Sequence, residues 1–160
     1  APVRRNLVLA ISTPRSRPGF DTPQIAYVRQ PHELKYFVTS RWAAAPARML
    51  EPLLLQVLGQ TESFRAVVPM AGAVPADVML DVELVKLQHN FQSRPSHVQL
   101  ALRAQLIDVR GKRVLAVKQF DETENAASDD AYGGVTAANR LVQRVLGQLA
   151  DFCITESVVQ

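Results

Sequence analysis

Carboxylates, histidines and one cysteine are the side chains of this sequence that could take part in catalysis or metal binding. Asp81 and Glu83 are two residues apart in an apolar run, so they would share one face of a strand. Such a pair could act as a general acid and a general base. Two solvated carboxylates on the wet face of an antiparallel sheet fit the same pattern, and the apolar surroundings favour that interpretation.

The histidines and the cysteine do not form a recognisable metal or nucleophile motif. His32, His89 and His97 fit neither HxxxH nor HExxH, and a single cysteine excludes CxxC and any disulfide within the chain. His89 and His97 could approach each other across one hairpin and share a metal, or they could be surface imidazoles near a turn. Cys153 follows Leu149 in an apolar helical pattern, which is typical of a buried thiol. No metal site is expected.

Phosphate-binding and nucleophile motifs are also missing from the sequence. The seven glycines fit neither GxGxxG nor GxxxxGK[ST], and no GxSxG occurs. The chain should therefore not bind a dinucleotide or hydrolyse ATP by those routes. We expect no enzyme activity and no cofactor.

Charge is unevenly distributed along the 160 residues, whose formal net charge is +3. Residues 1–48 are strongly basic, whereas residues 121–130 carry five acids and no base. A basic segment favours an anionic partner such as nucleic acid, lipid headgroups or an acidic protein surface, although a solvated face without a partner fits as well. Because no RNP, KH or helix-turn-helix signature accompanies the aromatic residues of this segment, we expect no nucleic-acid binding.

Hydrophobic periodicity predicts the elements that must position these residues. Period-two patterns predict strands over 6–12, 24–30, 33–42, 63–68, 77–91, 97–108 and 113–120, with a loop over 13–23. Helical spacing predicts one helix over 46–59, with Pro46 in its first turn and Gly59 at its end, and a second over about 135–152.

Two strands carry more specific expectations. In 33–42, alternation places Tyr36 and Trp42 on one face and Arg41 on the other. Trp42 is the only tryptophan, and it should pack where the first helix meets the sheet. In 77–91 the apolar parity changes after Leu84, which predicts a β-bulge.

The element order β-β-β-α-β-β-β-β-α predicts an α+β fold. We expect a mainly antiparallel sheet with the two helices packed on one face, formed by a single domain over 1–160.

Residues 22–58 resemble the ABC-type transport auxiliary lipoprotein family, the PqiC-like proteins of Gram-negative envelopes. The resemblance rests on an Ile-x-Tyr-x-Arg strand, a Leu-x-Tyr strand, an Arg-Trp pair and a proline that leads into an apolar helix. In this sequence these are Ile25, Tyr27 and Arg29; Leu34 and Tyr36; Arg41 and Trp42; and Pro46 with the helix over 53–58. The meander over 77–120 also looks like the family, so the resemblance covers nearly the whole chain.

This resemblance implies a fold similar to the N-terminal domain of TolB and a non-catalytic role. Family members are periplasmic accessory subunits that work with an ABC permease and ATPase and with MCE-type proteins in the transport of lipids or other hydrophobic molecules. They carry a lipidated N-terminal cysteine, which is missing here, so a leader and anchor are expected in a preceding segment. The resemblance further implies a homo-oligomer, since family members can assemble as rings, and an anchor in the outer rather than the inner membrane.

The candidate site residues follow from the charge map and from the resemblance. Arg29, Arg41, Asp129 and Asp130 are expected to contact partners, and the acidic 121–130 segment of one subunit would face the basic 1–48 segment of the next. The family signature implies structural roles for Tyr27, Tyr36, Trp42 and Pro46. An alternative is a small periplasmic carrier that binds an apolar ligand in an enclosed cavity.

Overall fold

One sheet and two helices make up the part of the chain that the computed structural model describes, residues 5–72 and 74–158. The elements are β1 (Arg5–Ile11), β2 (Arg15–Ser16), β3 (Gln24–Val28), β4 (Leu34–Arg41), α1 (Pro46–Gln60), β5 (Phe64–Pro69), β6 (Val78–Asn90), β7 (His97–Asp108), β8 (Arg113–Asn125) and α2 (Ala131–Glu156). The predicted α+β class and the order of the longer elements are confirmed. The two-residue strand β2 lies inside the predicted 13–23 loop.

Strand β6 organises the sheet, because its two edges are used differently. One edge pairs with β7 along its whole length, and β7 pairs with β8, both antiparallel. The other edge pairs in succession with β1, β2 and β3, all parallel. Beyond these, β5 lies parallel to β1 and β4 lies antiparallel to β3. The sheet is therefore mixed, with long antiparallel ladders on one side of β6 and short parallel ladders on the other.

The predicted bulge in β6 is present. The β6–β7 register shifts between Leu84 and Lys86, which leaves Val85 as the extra residue. Leu84 before the bulge and Leu87 after it both line the space between the two helices, although their parities differ. The bulge thus keeps the apolar side chains of a 13-residue strand on one face.

Both helices pack on that face and enclose the core. Helix α1 begins at Pro46, as predicted, and Pro52 lies exposed within it. Helix α2 buries a continuous stripe that includes Leu141, Val145 and Leu149 against β7 and β8. The opposite face of the sheet carries polar side chains such as Asp81 and Glu83.

The end of β8 and the alternation of side chains in β4 differ from the sequence-based predictions. Strand β8 continues to Asn125, so the first half of the acidic segment is strand and only 126–130 is a loop. The β3–β4 register also shifts between Gln24 and Ala26, which changes the alternation expected for β4. The ring centroids of Phe37 and His89 are 6.4 Å apart on the helix-bearing face. Phe37, and not Tyr36, therefore shares that face with Trp42.

Within the described ranges, neither helix is long and apolar enough to cross a bilayer.

Candidate functional site: two cationic positions and a groove between the helices

Arg29 and Arg41, the two predicted basic contact residues, lie in different settings. Arg29 follows β3, and its guanidinium carbon is 4.6 Å from the ring centroid of Phe91 and 5.5 Å from that of Tyr27. This geometry is a double cation–π contact on a partly buried aromatic cluster. Arg41 ends β4 with its side chain exposed. Arg41 is therefore free to reach a partner, whereas Arg29 also has a structural contact.

Asp129 and Asp130, the two predicted acidic contact residues, hold the start of α2. Asp130 is the N-cap, and its Oδ1 accepts hydrogen bonds from the Gly133 amide at 2.8 Å and the Ser128 hydroxyl at 2.6 Å. Asp129 Oδ1 accepts from the Ser96 amide at 3.1 Å. Hydrogen bonds from Ser96 lower the pKa of Asp129, and those from Ser128 and Gly133 lower the pKa of Asp130. Both carboxylates are exposed, but each already has a local role.

His89 and Asp129 both make a hydrogen bond to Ser96, a role for His89 that sequence reasoning did not predict. The ring of His89 is 2% exposed, and Nε2 lies 2.8 Å from the Ser96 hydroxyl oxygen. Burial lowers the pKa of His89, with Asp129 opposing the shift and His97 and Arg29 adding to it. Nδ1 has no hydrogen-bond partner in the described part of the chain. His89 is therefore a buried neutral imidazole, and His97 does not join it in a metal cluster of the described residues.

Other potentially reactive groups have structural partners. Asp81 forms an ion pair with Arg15 at 2.8 Å, and Glu83 with Arg17 at 3.3 Å, so these carboxylates are engaged across the sheet. Cys153 is fully buried, and burial raises the pKa of its thiol to about 12. A thiol with that pKa is not a nucleophile at neutral pH.

The acidic segment is largely engaged within the subunit. Glu124 forms ion pairs with Arg140, at 2.9 Å, and with Arg144, both from α2. Hydrogen bonds from these two arginines lower the pKa of Glu124. Glu122 accepts a hydrogen bond from Gln148 at 2.9 Å. These contacts join α2 to β8, and they leave Asp121 as the exposed acid of the strand portion.

The residues of the sequence signature lie around one end of the sheet. Tyr27 stacks on Phe37 with ring centroids 4.7 Å apart, and the Tyr36 hydroxyl donates to the Gly19 carbonyl at 2.8 Å on the other face. The Trp42 amide donates to the Pro23 carbonyl at 2.7 Å, and its side chain is half-buried against the core. Trp42 and Pro46 also line one end of a groove.

That groove, which we call the interhelical groove, runs between α1 and α2 and has a volume of about 550 Å³. Its floor is formed by leucines of the sheet, and its walls come from one stripe of each helix. The lining residues are Trp42, Pro46, Met49, Leu50, Leu53, Gln56, Val57, Gln60, Leu84, Leu87, Leu100, Ala138, Asn139, Val142, Gln143, Leu146 and Gly147. None of them is charged. The groove opens to solvent at the exposed Leu53 and at four carboxamides along its rim.

The sequence does not predict this groove. An apolar stripe on a helix predicts that the stripe is buried, but it does not predict an open space between two helices. A weak signal was present in Gly147. It lies on the same helical stripe as Asn139 and Gln143, where a larger side chain would be expected to fill space, and no atom lies within 4 Å of where its Cβ would be.

Comparison of the sequence with protein families gives one match, to the family described as ABC-type transport auxiliary lipoprotein component, over residues 1–150. The chain belongs to this family. The match covers nearly all of the sequence and confirms the resemblance that the Arg-Trp and Ile-x-Tyr-x-Arg patterns carried. No protein of curated function matches the sequence.

Several solved structures share the fold of this chain. Protein XCC0632 from Xanthomonas campestris superposes with a TM-score of 0.90 at 19% identity, covering 98% of this chain and 88% of that one. The protein CT253 from Chlamydia trachomatis gives a TM-score of 0.61 at 11% identity, covering 91% and 96% of the two chains. A PelC dodecamer from Paraburkholderia phytofirmans gives 0.55 at 15% identity, covering 91% and 90%. At these identities the likeness establishes the fold alone.

Proposed function

We propose that this auxiliary lipoprotein is a non-catalytic, lipid-anchored accessory subunit of an envelope transport system for lipids or other hydrophobic molecules. It would act by protein–protein contact with an ABC permease and ATPase and with an MCE-type protein. The family match over residues 1–150 is the observation that carries this proposal. The finer assignment to an MCE system follows the resemblance of the sequence.

The chemistry of the described residues supports a non-catalytic role. The carboxylates that could have formed an acid–base pair are bound in ion pairs with Arg15 and Arg17. The only thiol is buried, with its pKa raised. These residues are all accounted for by packing or by local charge neutralisation, so a contact function accounts for the molecule better than a reaction does.

We further propose a periplasmic location, with the lipid anchor in the outer membrane, and assembly into a homo-oligomer. The dodecameric state of the PelC structure, a protein of the same fold, supports such assembly. Strand β4 offers an exposed edge on which Val38 is 98% exposed and Arg41 is unpaired among the described residues. The counter-surface would use Asp121, Asp129 and Asp130, because Glu122 and Glu124 are engaged with α2.

The carrier alternative requires an enclosed apolar cavity for a whole ligand. The interhelical groove is apolar and large enough, but it is open to solvent. An open groove is less suited to carrying a complete lipid through water than to holding part of one, so the accessory role remains the conclusion.

Affinity purification of the tagged full-length protein from envelopes of its own bacterium, after crosslinking, tests the proposal. Mass spectrometry should recover an ABC permease, an ATPase and an MCE-type protein. Arg41→Ala should reduce that recovery, whereas Arg65→Ala, which removes an exposed arginine on β5, should not. Recovery of no envelope transport component, or equal loss with both variants, would count against the proposal.

A further inference from the structure

Nδ1 of His89 is covered by helix α2 and has no room for a proton. The other ring nitrogen, Nε2, lies 2.8 Å from the Ser96 hydroxyl oxygen, whereas Nδ1 has no hydrogen-bond partner in the described part of the chain. A Cβ at position 134 would lie 2.4 Å from Nδ1, so Gly134 in the first turn of α2 rests on this nitrogen. A neutral ring that carries its proton on Nε2 leaves Nδ1 as an unused acceptor. A protonated ring would instead bury a positive charge and an N–H donor without an acceptor, which is costly.

On the side of α2, the charges that face His89 oppose one another. The carboxylates of Asp129 and Asp130 favour a proton on the ring, but both are exposed and already accept hydrogen bonds from backbone amides. Arg94, in the turn between β6 and β7, partly neutralises Asp129. The first turn of α2 presents the positive end of the helix dipole to the ring, which disfavours a cation. The titratable side chain of that turn, Tyr132, is exposed.

On the side of the sheet, two basic residues add to the cost of a charged ring. His97 on β7 and Arg29 after β3 both disfavour a proton on His89. The guanidinium carbon of Arg29 is 4.6 Å from the ring centroid of Phe91, and that centroid is 4.1 Å from the one of His89. A protonated His89 would therefore place a second cation against the same aromatic ring. The remaining neighbours on this side are aromatic and come from β3 and β4: Tyr27 and Phe37.

A small space joins His89 to the interhelical groove. Its volume is about 10 Å³, no more than one water molecule needs, so it cannot hydrate a charged ring. The side chains around it include His89, Trp42 and Ala138, and Gly134 forms part of its wall. Trp42 and Ala138 also line the groove. Because Ala138 lies one turn after Gly134 on the same stripe of α2, a movement of the first turn away from His89 would widen the groove beside Trp42.

We propose that protonation of His89 lifts the first turn of α2 from β6 and widens the interhelical groove at its Trp42 end. With a neutral ring, the turn rests on Nδ1 and the space behind Trp42 stays small. With a charged ring, lifting the turn lets water reach Nδ1, and this hydration offsets the lost packing. Glu124 pairs with Arg140 and Arg144 and holds the helix from about its third turn onwards, so the movement is local. This inference goes beyond the proposed accessory function and requires no partner subunit.

Amide hydrogen exchange of the purified chain at pH 7 and pH 5, corrected for intrinsic exchange rates, tests this inference. The open form should take up a proton near the ordinary histidine pKa of 6.5 and the closed form should not, so the opening of residues 131–138 should increase about tenfold over this range. These amides should remain less protected than those of residues 141–149 at both pH values, because the opening is local. His97→Gln, which removes the neighbouring histidine on β7, should behave like wild type, and His89→Gln should show no increase.

Trp42 gives a second measurement, because it is the only tryptophan and needs no label. Acrylamide quenching of its fluorescence should rise from pH 7 to pH 5 in wild type and in His97→Gln, and stay constant in His89→Gln. If thermal melts show that His89→Gln does not fold, wild type alone decides: the midpoint of the quenching change must coincide with that of the His89 ring titration followed by NMR. Constant quenching in wild type, different midpoints, the same pH dependence in a folded His89→Gln, or equal protection of residues 131–138 and 141–149 overturns the inference.

Discussion

The imidazole of His89 lies directly beneath Gly134 of α2, so closely that a Cβ at position 134 would come within 2.4 Å of Nδ1. Only a residue without a side chain lets the first turn of α2 rest on the ring. This contact joins the helix to the far end of β6, and it explains why a glycine occupies a buried helical position at which alanine would otherwise be the better helix former.

Gly134→Ala should destabilise the protein. The added methyl group must displace the ring or the helix, and overpacking of this kind costs about 1–3 kcal/mol. Gly147→Ala is the matched control, since alanine at an open position in the interior of α2 should gain about 0.5–1 kcal/mol. Urea unfolding followed by circular dichroism measures both. A Gly134→Ala protein as stable as wild type would show that the contact between His89 and position 134 has room for a methyl group.

Acid should weaken the fold through His89. Burial lowers the pKa of His89 below its ordinary value of 6.5, so the unfolded chain takes up a proton at a pH at which the folded chain does not. The part of the unfolding free energy that depends on a neutral His89 is fully present above about pH 6.5. It is lost as the pH falls towards the folded-state pKa of His89. Asp129 and Asp130 oppose the shift, and His97 and Arg29 add to it.

Unfolding free energies measured between pH 7 and 5 should therefore decline in the wild type and decline less in His89→Gln, which does not titrate. An unchanged pH slope in His89→Gln would assign the acid sensitivity to other groups. An NMR titration of the His89 ring, with a midpoint below about 6.5, checks the direction independently.

Trp42→Ala should cost stability. The side chain is half-buried against the core and closes one end of the interhelical groove, so its loss should cost about 2 kcal/mol, less than for a fully buried tryptophan. Tyr132→Ala is the control, because Tyr132 is 76% exposed in the first turn of α2. Thermal unfolding of both variants tests this prediction. Equal melting temperatures for Trp42→Ala and Tyr132→Ala would show that Trp42 does not pack where α1 meets the sheet.

Arg29→Leu should lower stability by about 1 kcal/mol, because it removes the cation from the faces of Phe91 and Tyr27 while keeping an apolar stem. Arg29→Lys should retain part of that energy, since an ammonium group keeps the charge but lacks the planar stack. Denaturant titrations of the two variants should therefore rank wild type, then lysine, then leucine. A leucine variant of wild-type stability would mean that Arg29 contributes through partners alone.

Much of the fold could be predicted from periodicity, because most of its elements are long and amphipathic. The change of parity after Leu84 predicted the bulge, and the apolar spacing after Pro46 predicted α1. The parallel attachment of β1, β2 and β3 to β6 could not be predicted, since partner choice between distant strands leaves no local pattern. The predicted strand over 113–120 stops short of Asn125, because the charges of residues 121–125 obscure a strand whose alternate side chains, Glu122 and Glu124, reach α2.

Less of the candidate site could be predicted from the sequence. Arg41 is exposed, whereas Asp130 caps α2 and Asp129 accepts a hydrogen bond from Ser96 in a turn that is distant in sequence. The interhelical groove depends on the distance between two helices. No sequence period specifies that distance, so only the structure reveals the gap beside Gly147.

The attachment of three short strands to one edge of β6 also orders events during synthesis. Leu9 pairs with Val78, Arg15 with Glu83 and Ala26 with Gln88, so β1, β2 and β3 cannot join the central strand until β6 has left the ribosome. By contrast, the hairpins from β6 to β8 join neighbours in sequence and close small loops, which is the faster process. The meander is therefore expected to form first and to serve as the nucleus onto which the N-terminal third condenses. Until then the strands of that third can pair only as β3 does with β4 and β1 with β5, so the edges that join β6 stay open.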